Sequence, residues 1–354
     1  MFLKYWGFCH SKGTSSRQYT TRIEELCHRF SLADIRKSTN NFDHEWLVDR
    51  LGFGVELYCG CLQHDGSDYT VIIKRFNKNV YERGEQWNLF KNEIELLCQL
   101  RHPNIISLTG FCNHKKEKIV VYEYMPNGSL HHHLQHGELS WKKRLEICIG
   151  AARGLHYLHA GAKRTIIHRD IKSRNILLDA NMEPKLSDFG LSVQGQRFMS
   201  KPKQIKVDQV AGTYGHLAQE YVLNGIVTDK TDVYSFGIVL LEVVAGKYFD
   251  ILEIEEFLKK PFEENIDLDI KGKIVQECWK VFIDIIHRCV NSEADERPTM
   301  GEVETQLEYA LSLQEQADIT NIHANYILLS KTIINIGVIS YSILDWIVCN
   351  YKKQ

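Results

Sequence analysis

The sequence has no excess charge of one sign: 43 Lys and Arg stand against 45 Asp and Glu, a net charge of −2, with a pI near 6.8. Without a long basic run nothing marks a phosphate-backbone track, so nucleic acid is not an expected partner. The ten cysteines form no C-x-x-C pair and no regular ladder. Cys98, Cys148 and Cys289 lie in apolar helical runs and read as reduced, buried small hydrophobes of a cytosolic protein. Met1 to Cys9 lacks the apolar core and small-residue cleavage site of a signal peptide, and Phe2 stands where myristoylation needs glycine. A long uninterrupted apolar run is missing too. Thr332 to Cys349 is mostly Ile, Val and Leu but is broken by Asn335 and Asp345, so it reads as a docking or poorly ordered extension, with a membrane tail anchor as the alternative. The expected location is the cytoplasm, with peripheral attachment at the plasma membrane as a further option.

What is present suits a folded protein. With 354 residues, 44% apolar and 25% charged, the chain is long enough for one two-lobed domain or two small ones. Residues 1 to 27 read as a flexible polar arm. Ser31 and Asp34, after Phe30, have capping-box spacing for a short helix. Residues 46 to 76 carry strand-like runs broken by Gly52, Gly54, Gly60 and Gly66, ending in the β-branched stretch Tyr69 to Phe76. From Gln86 the period becomes helical, with Phe90, Ile94, Leu97 and Leu100 in one stripe. Glu93 falls inside that stripe while Glu95 points away. A carboxylate on a buried face needs a cation, and Lys74 at the end of the preceding strand is the candidate.

Ile119 to Tyr124 reads as a further strand, and Met125 to Gly128 as a turn. Helices dominate afterwards, with Trp141, Leu145, Cys148, Ala152 and Leu155 on one face and Val233, Phe236, Leu240 and Val243 on another. His131, His132, His133 and His136 lie on an expected surface helix without acidic or Cys ligands nearby, and read as a solvated face. Strands first and helices later predict an α+β protein, a small β-rich lobe and a larger helical one with a nucleotide in the cleft between.

The densest chemical signal is His168, Arg169, Asp170, Ile171, Lys172 and Asn175, followed by Asp188, Phe189 and Gly190. Phosphoryl transfer is catalysed mainly by positioning and neutralisation. It needs a carboxylate that orients a hydroxyl beside groups that hold Mg²⁺, and this segment supplies both. The motifs resemble those of eukaryotic protein kinases, and more closely the plant receptor-like Ser/Thr kinases related to FERONIA and Pto, from about His28 to about Gln316.

The resemblance implies the two-lobed kinase fold, divided here as an arm and short leading helix (1 to 45), a small β-rich N-lobe with one regulatory helix (46 to 125), a mainly helical C-lobe (126 to 312) and an extension (313 to 354). It implies ATP and Mg²⁺ as cofactors, and protein Ser/Thr hydroxyls as substrates. A membrane receptor complex is implied as a partner. Lys74 resembles the phosphate-contacting lysine and Glu93 its helical partner. Asp170 looks like the catalytic base, Lys172 the residue that steadies the γ-phosphate, and Asn175 and Asp188 the metal ligands. Val48, Gly52, Gly54, Tyr122, Glu123, Met125 and Leu177 would surround the nucleotide, with Tyr122 at the gatekeeper position. Glu220 with Arg297 resembles a structural ion pair, and Asp232 a buried brace for the catalytic loop.

The pattern breaks in places. Against G-x-G-x-x-G the chain has Asp49, Leu51 and Gly54, so two glycines that would let backbone approach phosphate are missing. A carboxylate there repels triphosphate if it faces the cleft. Either Glu56 or Leu57 replaces the apolar residue over adenine. Ile72 stands where the family has Ala, on the strand face of Lys74. Ala218, Gln219 and Glu220 replace A-P-E, with His216 for a usual Tyr. Arg169 calls for an anionic partner, yet Lys201 to Ala211 has no Ser or Thr. Asp208 is therefore expected to supply a permanent charge, with Ser200 and Thr213 flanking. The first reading is an active kinase; the alternative is a pseudokinase scaffold with weakened ATP binding.

Overall fold

The computed structural model describes residues 26–51, 54–64, 67–76, 85–137, 139–195, 204–249 and 265–320. The chain divides into a sheet unit, which contains Ser107–Glu123 as well as the residues up to Gln99, and a helical unit of Leu100–Ile106 with everything from Tyr124 on. This is the expected α+β organisation.

The sheet unit is a single six-stranded sheet in the order β1-β5-β6-β4-β3-β2. Its strands are β1 (His28–Arg29), β2 (Leu47–Leu51), β3 (Val55–His64), β4 (Ser67–Phe76), β5 (Leu108–Asn113) and β6 (Lys118–Glu123). Strand β1 runs parallel to β5, with His28 opposite Gly110. A Cβ on Gly110 would stand 2.5 Å from the His28 carbonyl, so only glycine permits this approach. The residues after 27 are therefore part of the sheet unit, not a separate leader.

Helix α1 (Leu32–Ser38) starts at the Ser31 side chain, which accepts from the Asp34 N–H, as the spacing predicted. Phe30 and Ile35 join Tyr58, Leu62, Val71, Ile73, Ile119 and Val121 in one apolar cluster. Each fully buried side chain of this kind contributes roughly 1.5–3 kcal/mol. Helix α2 (Glu85–Leu97) follows β4. It buries Phe90, Ile94 and Leu97, while Glu95 faces outward to Lys91 at 3.9 Å. Leu100 is buried but lies past the helix end, within the helical unit.

The helical unit is built on α3 (Leu130–His136), α4 (Trp141–His156), α5 (Gln219–Asn224), α6 (Asp229–Ala245), α7 (Gln276–Cys289) and α8 (Met300–Thr320). Three short two-stranded ladders join them: β7 (Ile166–Ile167) with β10 (Val193–Gln194), β8 (Ile176–Leu178) with β9 (Pro184–Leu186), and β11 (Ile205–Lys206) with β12 (Ile226–Val227). Helix α6 is buried over nearly its whole length, as its run of Val, Ile and Leu requires. Trp141 of α4 meets Phe282 of α7 edge-on at 4.8 Å. The fully buried Arg144 donates to the carbonyls of Val243 (2.7 Å) and Leu139 (3.1 Å) and pairs with Asp267, which satisfies a cation that would otherwise be costly to bury.

The histidine helix differs from expectation. His132 and His136 are exposed, but His131 and His133 are buried. The His133 Nε2 lies 2.7 Å from the Asn127 carbonyl, and His131 sits edge-on to Tyr248. One face of α3 is therefore core. Among the described residues the cysteines are free, and burial pushes the thiols of Cys148, Cys278 and Cys289 up to about 12, which leaves them protonated and inert. No helix among the described residues is long and apolar enough to cross a membrane. Thr332 to Cys349 lies outside the described residues.

Candidate active site

In the sheet unit Lys74 Nζ lies 2.8 Å from Glu93 Oε2, with side-chain exposures of 7% and 0%. Strand β4 delivers the lysine and the inward stripe of α2 delivers the carboxylate. A charge pair this dry depends on mutual neutralisation, because either partner alone would be stranded.

The register of the sheet settles which side chains share the Lys74 face. Lys74 is opposite Leu57 and Ile72 opposite Cys59, Tyr122 is opposite Ile72, and Asp49 is opposite Leu57. Directly paired residues point the same way, so Leu57, Ile72, Tyr122 and Asp49 all lie on the lysine's face. Glu56 is on the other face, held by Arg75 at 3.4 Å, so of the two alternatives Leu57 is the one that shares the Lys74 face. The irregularity in this hairpin lies in β2, where pairing steps from Leu47 to Asp49. Val48 is thus the bulged residue and is 57% exposed. Gly54 has φ +71 at the start of β3; Gly52 lies outside the described residues. Tyr122 is buried, and the Glu123 carboxylate accepts from the Ser107 N–H at 2.7 Å. The division between units falls between Glu123 and Tyr124.

In the helical unit the loop after β7 gathers its groups around one carboxylate. Asp170 Oδ1 accepts from the Thr213 hydroxyl at 2.6 Å. Oδ2 accepts from Lys172 Nζ at 2.8 Å and from the Asn175 amide at 3.0 Å. Lys172 also donates to the Thr213 oxygen at 2.8 Å, so lysine and hydroxyl close a ring on the acid. Asn175 spends its NH₂ on the carbonyl and carboxylate of Asp170, which leaves its amide oxygen available as a metal ligand. Asp188 is half-buried with φ +66, and Arg169 has φ +71. Positive φ in both is backbone strain held by the surrounding contacts. An amide oxygen and a carboxylate are the hard donors Mg²⁺ takes, with phosphate and water completing its shell, so the residues fit the ion.

The loop is fixed from beneath. Asp232, 0% exposed on α6, accepts the N–H groups of His168 (2.7 Å) and Arg169 (2.9 Å) and lies 2.9 Å from His159 Nε2. Ser187 donates its N–H (2.9 Å) and hydroxyl (3.0 Å) to the Asn175 carbonyl, and Ser192 donates to the His168 carbonyl. Phe189 is fully buried edge-on to His168. Leu177 is half-buried between the buried Ile176 and Leu178, and Met125 is buried. Arg297 grips Glu220 through both oxygens at 2.8 and 2.9 Å.

Asp208 is not the partner of Arg169. The Arg169 guanidinium is buried and donates to the carbonyls of Leu191 and Gln209, each at 2.9 Å, and to the Tyr221 hydroxyl. Asp208 is exposed and makes no ion pair among the described residues. Neutral acceptors supply the solvation the anion was expected to give. Ser200 lies outside the described residues. A Cβ at Gly212 (φ +134) would stand 2.7 Å from the Arg169 carbonyl, so glycine is required where the segment before Thr213 crosses the loop. Sequence reasoning missed His159 and Tyr221. The first had a usable signal, since a carboxylate in the apolar run of α6 demands donors; the second had none.

The family model described as protein tyrosine and serine/threonine kinase matches residues 48–307. The chain is similar to receptor-like protein kinases of Arabidopsis thaliana. It is 46% identical to ANXUR2 over 308 residues, 83% of this chain and 35% of that protein. It is 41% identical to FERONIA over 336 residues, 89% and 36%, and 39% identical to HERK 1 over 325 residues, 87% and 38%. The chain therefore spans little more than a third of the length of these curated relatives.

Proposed function

The chain belongs to the protein tyrosine and serine/threonine kinase family, and from that premise we propose that it transfers the γ-phosphate of Mg²⁺-ATP to Ser and Thr hydroxyls of proteins, itself included, in receptor-like signalling. One observation carries the reading: Asp170 already holds a hydroxyl, that of Thr213, at 2.6 Å, with Lys172 bridging the two. A substrate hydroxyl entering the same position would donate its proton to the Asp170 carboxylate. Lys172 would move from Thr213 to the transferred phosphoryl group and balance its charge. Asn175 and Asp188 would hold Mg²⁺, which when bound neutralises the phosphate oxygens.

In the sheet unit Lys74, oriented by Glu93, would bind the α- and β-phosphates, and Tyr122, Leu57 and Ile72 would present an apolar face to the base. The hinge backbone from Glu123 to Met125 would read the adenine edge, and Leu177 would floor it. Asp49 on the Lys74 face would weaken nucleotide affinity without touching the groups that do chemistry. The scaffold alternative rests on the altered glycine loop together with Ile72 and Gln219, and the intact set of Lys74, Asp170, Asn175 and Asp188 argues against it.

The test is transfer of labelled phosphate from Mg²⁺-ATP, with autophosphorylation mapped by residue and a thermal shift measured in parallel. A ligand that binds only the folded state raises its apparent stability. We expect incorporation into Ser and Thr, lost in Lys74→Met. A thermal shift without any transfer favours the scaffold, and no shift at millimolar nucleotide removes the enzymatic reading.

A further inference from the structure

Arg174 is an exposed cation without a carboxylate partner among the described residues, on the loop that carries Asp170. It occupies the middle of the single turn Ser173–Asn175. Two residues before it is Lys172, which touches Asp170 and Thr213, and directly after it is Asn175, which donates to Asp170. Both are pinned, so the backbone of Arg174 is fixed relative to the proposed base.

Its side chain is held as well. The guanidinium lies over the Tyr248 ring at 5.7 Å, a cation–π contact that favours one orientation. Tyr248 is itself set between two histidines, stacked on His216 at 5.7 Å and edge-on to His131 at 5.5 Å. Burial, and then the charge of Arg174, hold the His131 imidazole below its ordinary range, so the uncharged ring adds no competing cation beneath. The carboxylate of Glu242, whose field also reaches His131, is 0% exposed and has His216 Nε2 at 3.2 Å. A substrate side chain arriving from solvent meets the guanidinium, not that acid.

A cation that is ordered, solvent-facing and without a carboxylate partner among the described residues is a ready site for an anion, and a planar guanidinium matches a carboxylate with two parallel N–H donors. A peptide whose Ser or Thr hydroxyl sits on Asp170 extends by roughly 3.3 Å per residue, which keeps side chains a few positions away within reach of Arg174. Resting on the kinase reading above, we propose that Arg174 is a specificity-determining residue that selects protein substrates with Asp or Glu close to the phosphorylated Ser or Thr.

The experiment uses the full chain and synthetic Ser/Thr peptides with Ala at all flanking positions, or with Glu or Lys placed singly at each of the three positions on either side. Phosphorylation gives kcat/KM, and fluorescence anisotropy of labelled peptides gives Kd without turnover. An exposed ion pair predicts about a fivefold advantage for the best Glu peptide over its Ala counterpart, carried by KM and Kd. Arg174→Ala should bring that ratio to about one, Arg174→Glu should turn it toward Lys, and Arg174→Lys should keep part of it. Equal binding of Glu, Ala and Lys peptides by the unaltered chain, or a Glu preference that survives Arg174→Glu, overturns the proposal. If no peptide is phosphorylated the kinase reading fails, while the anisotropy ratios still decide the role of Arg174.

Discussion

The two units hold their proposed functional groups in place by different means. In the sheet unit a single dry ion pair, Lys74 with Glu93, ties a strand to a helix, and around it the hairpin departs from the family pattern at Asp49, Leu57 and Ile72. In the helical unit Asp170 sits in a loop whose backbone is anchored by two N–H donations into Asp232 and whose carboxylate is saturated by Lys172, Asn175 and Thr213. Many short bonds to one loop leave little freedom for any member to change. A face of a twisted sheet that touches ligand through side chains and backbone in turn tolerates substitution with a graded loss of affinity. The departures at Asp49, Leu57 and Ile72 fall where that tolerance is available, and those in the helical unit, His216 and Gln219, lie outside the loop that carries Asp170.

The comparison breaks most sharply at Asp170. Asp170→Asn removes the proton acceptor while keeping hydrogen-bonding partners of similar size, so phosphate transfer should fall by about 10³-fold or more, with an unchanged circular dichroism spectrum. Retained turnover would remove the proposed centre from this loop.

Next in size is the anchor. Asp232→Ala strands two buried N–H donors and His159, and should cost about 3–5 kcal/mol of stability, read as a lowered denaturation midpoint. Glu93→Ala leaves Lys74 as a buried unpaired charge and falls in the same range. If Glu93→Ala costs far less while Asp232→Ala does not, the sheet unit is the more adaptable half in energy as well as in sequence.

A smaller effect is expected at the hairpin. Asp49→Gly removes a carboxylate from the Lys74 face and should lower KM for ATP by about fivefold, the ~1 kcal/mol of a solvent-screened charge contact, with kcat little changed. An unchanged KM would mean that Asp49 does not face the triphosphate.

The mildest effect is on pH. Burial lowers the pKa of His102, His131 and His287 below their ordinary value, so below about pH 6.5 the unfolded chain binds more protons than the folded one. Stability should therefore be full above that pH and decline as pH falls toward 5, with a shallower slope in His131→Gln, followed by thermal melting.

Several features were legible without tertiary structure. The change from strand to helix period, the capping spacing at Ser31, the inward place of Glu93 and the ordered motif from His168 to Gly190 are local patterns, and local sterics and burial dictate them. The face of Glu56, the burial of His131 and His133, and the partners of Arg169 were not legible. The bulge at Val48 reverses nothing in composition, yet it places Asp49 on the Lys74 face, while the unbroken β3–β4 register puts Leu57 and not Glu56 there. The expected Asp208 contact failed for a similar reason: a cation's need for acceptors can be read in a sequence, but not that two carbonyls and the Tyr221 hydroxyl already meet it.

The sequence by itself determined the elements, the chemistry-bearing residues and the departures from the family pattern, because those follow from residue type and spacing. Only the tertiary structure decided which groups meet: Thr213 on Asp170, His159 on Asp232, Tyr248 beneath Arg174. Such contacts join residues 43 to 74 positions apart in the chain, and what brings them together is the packing of the helical core, which no local pattern encodes.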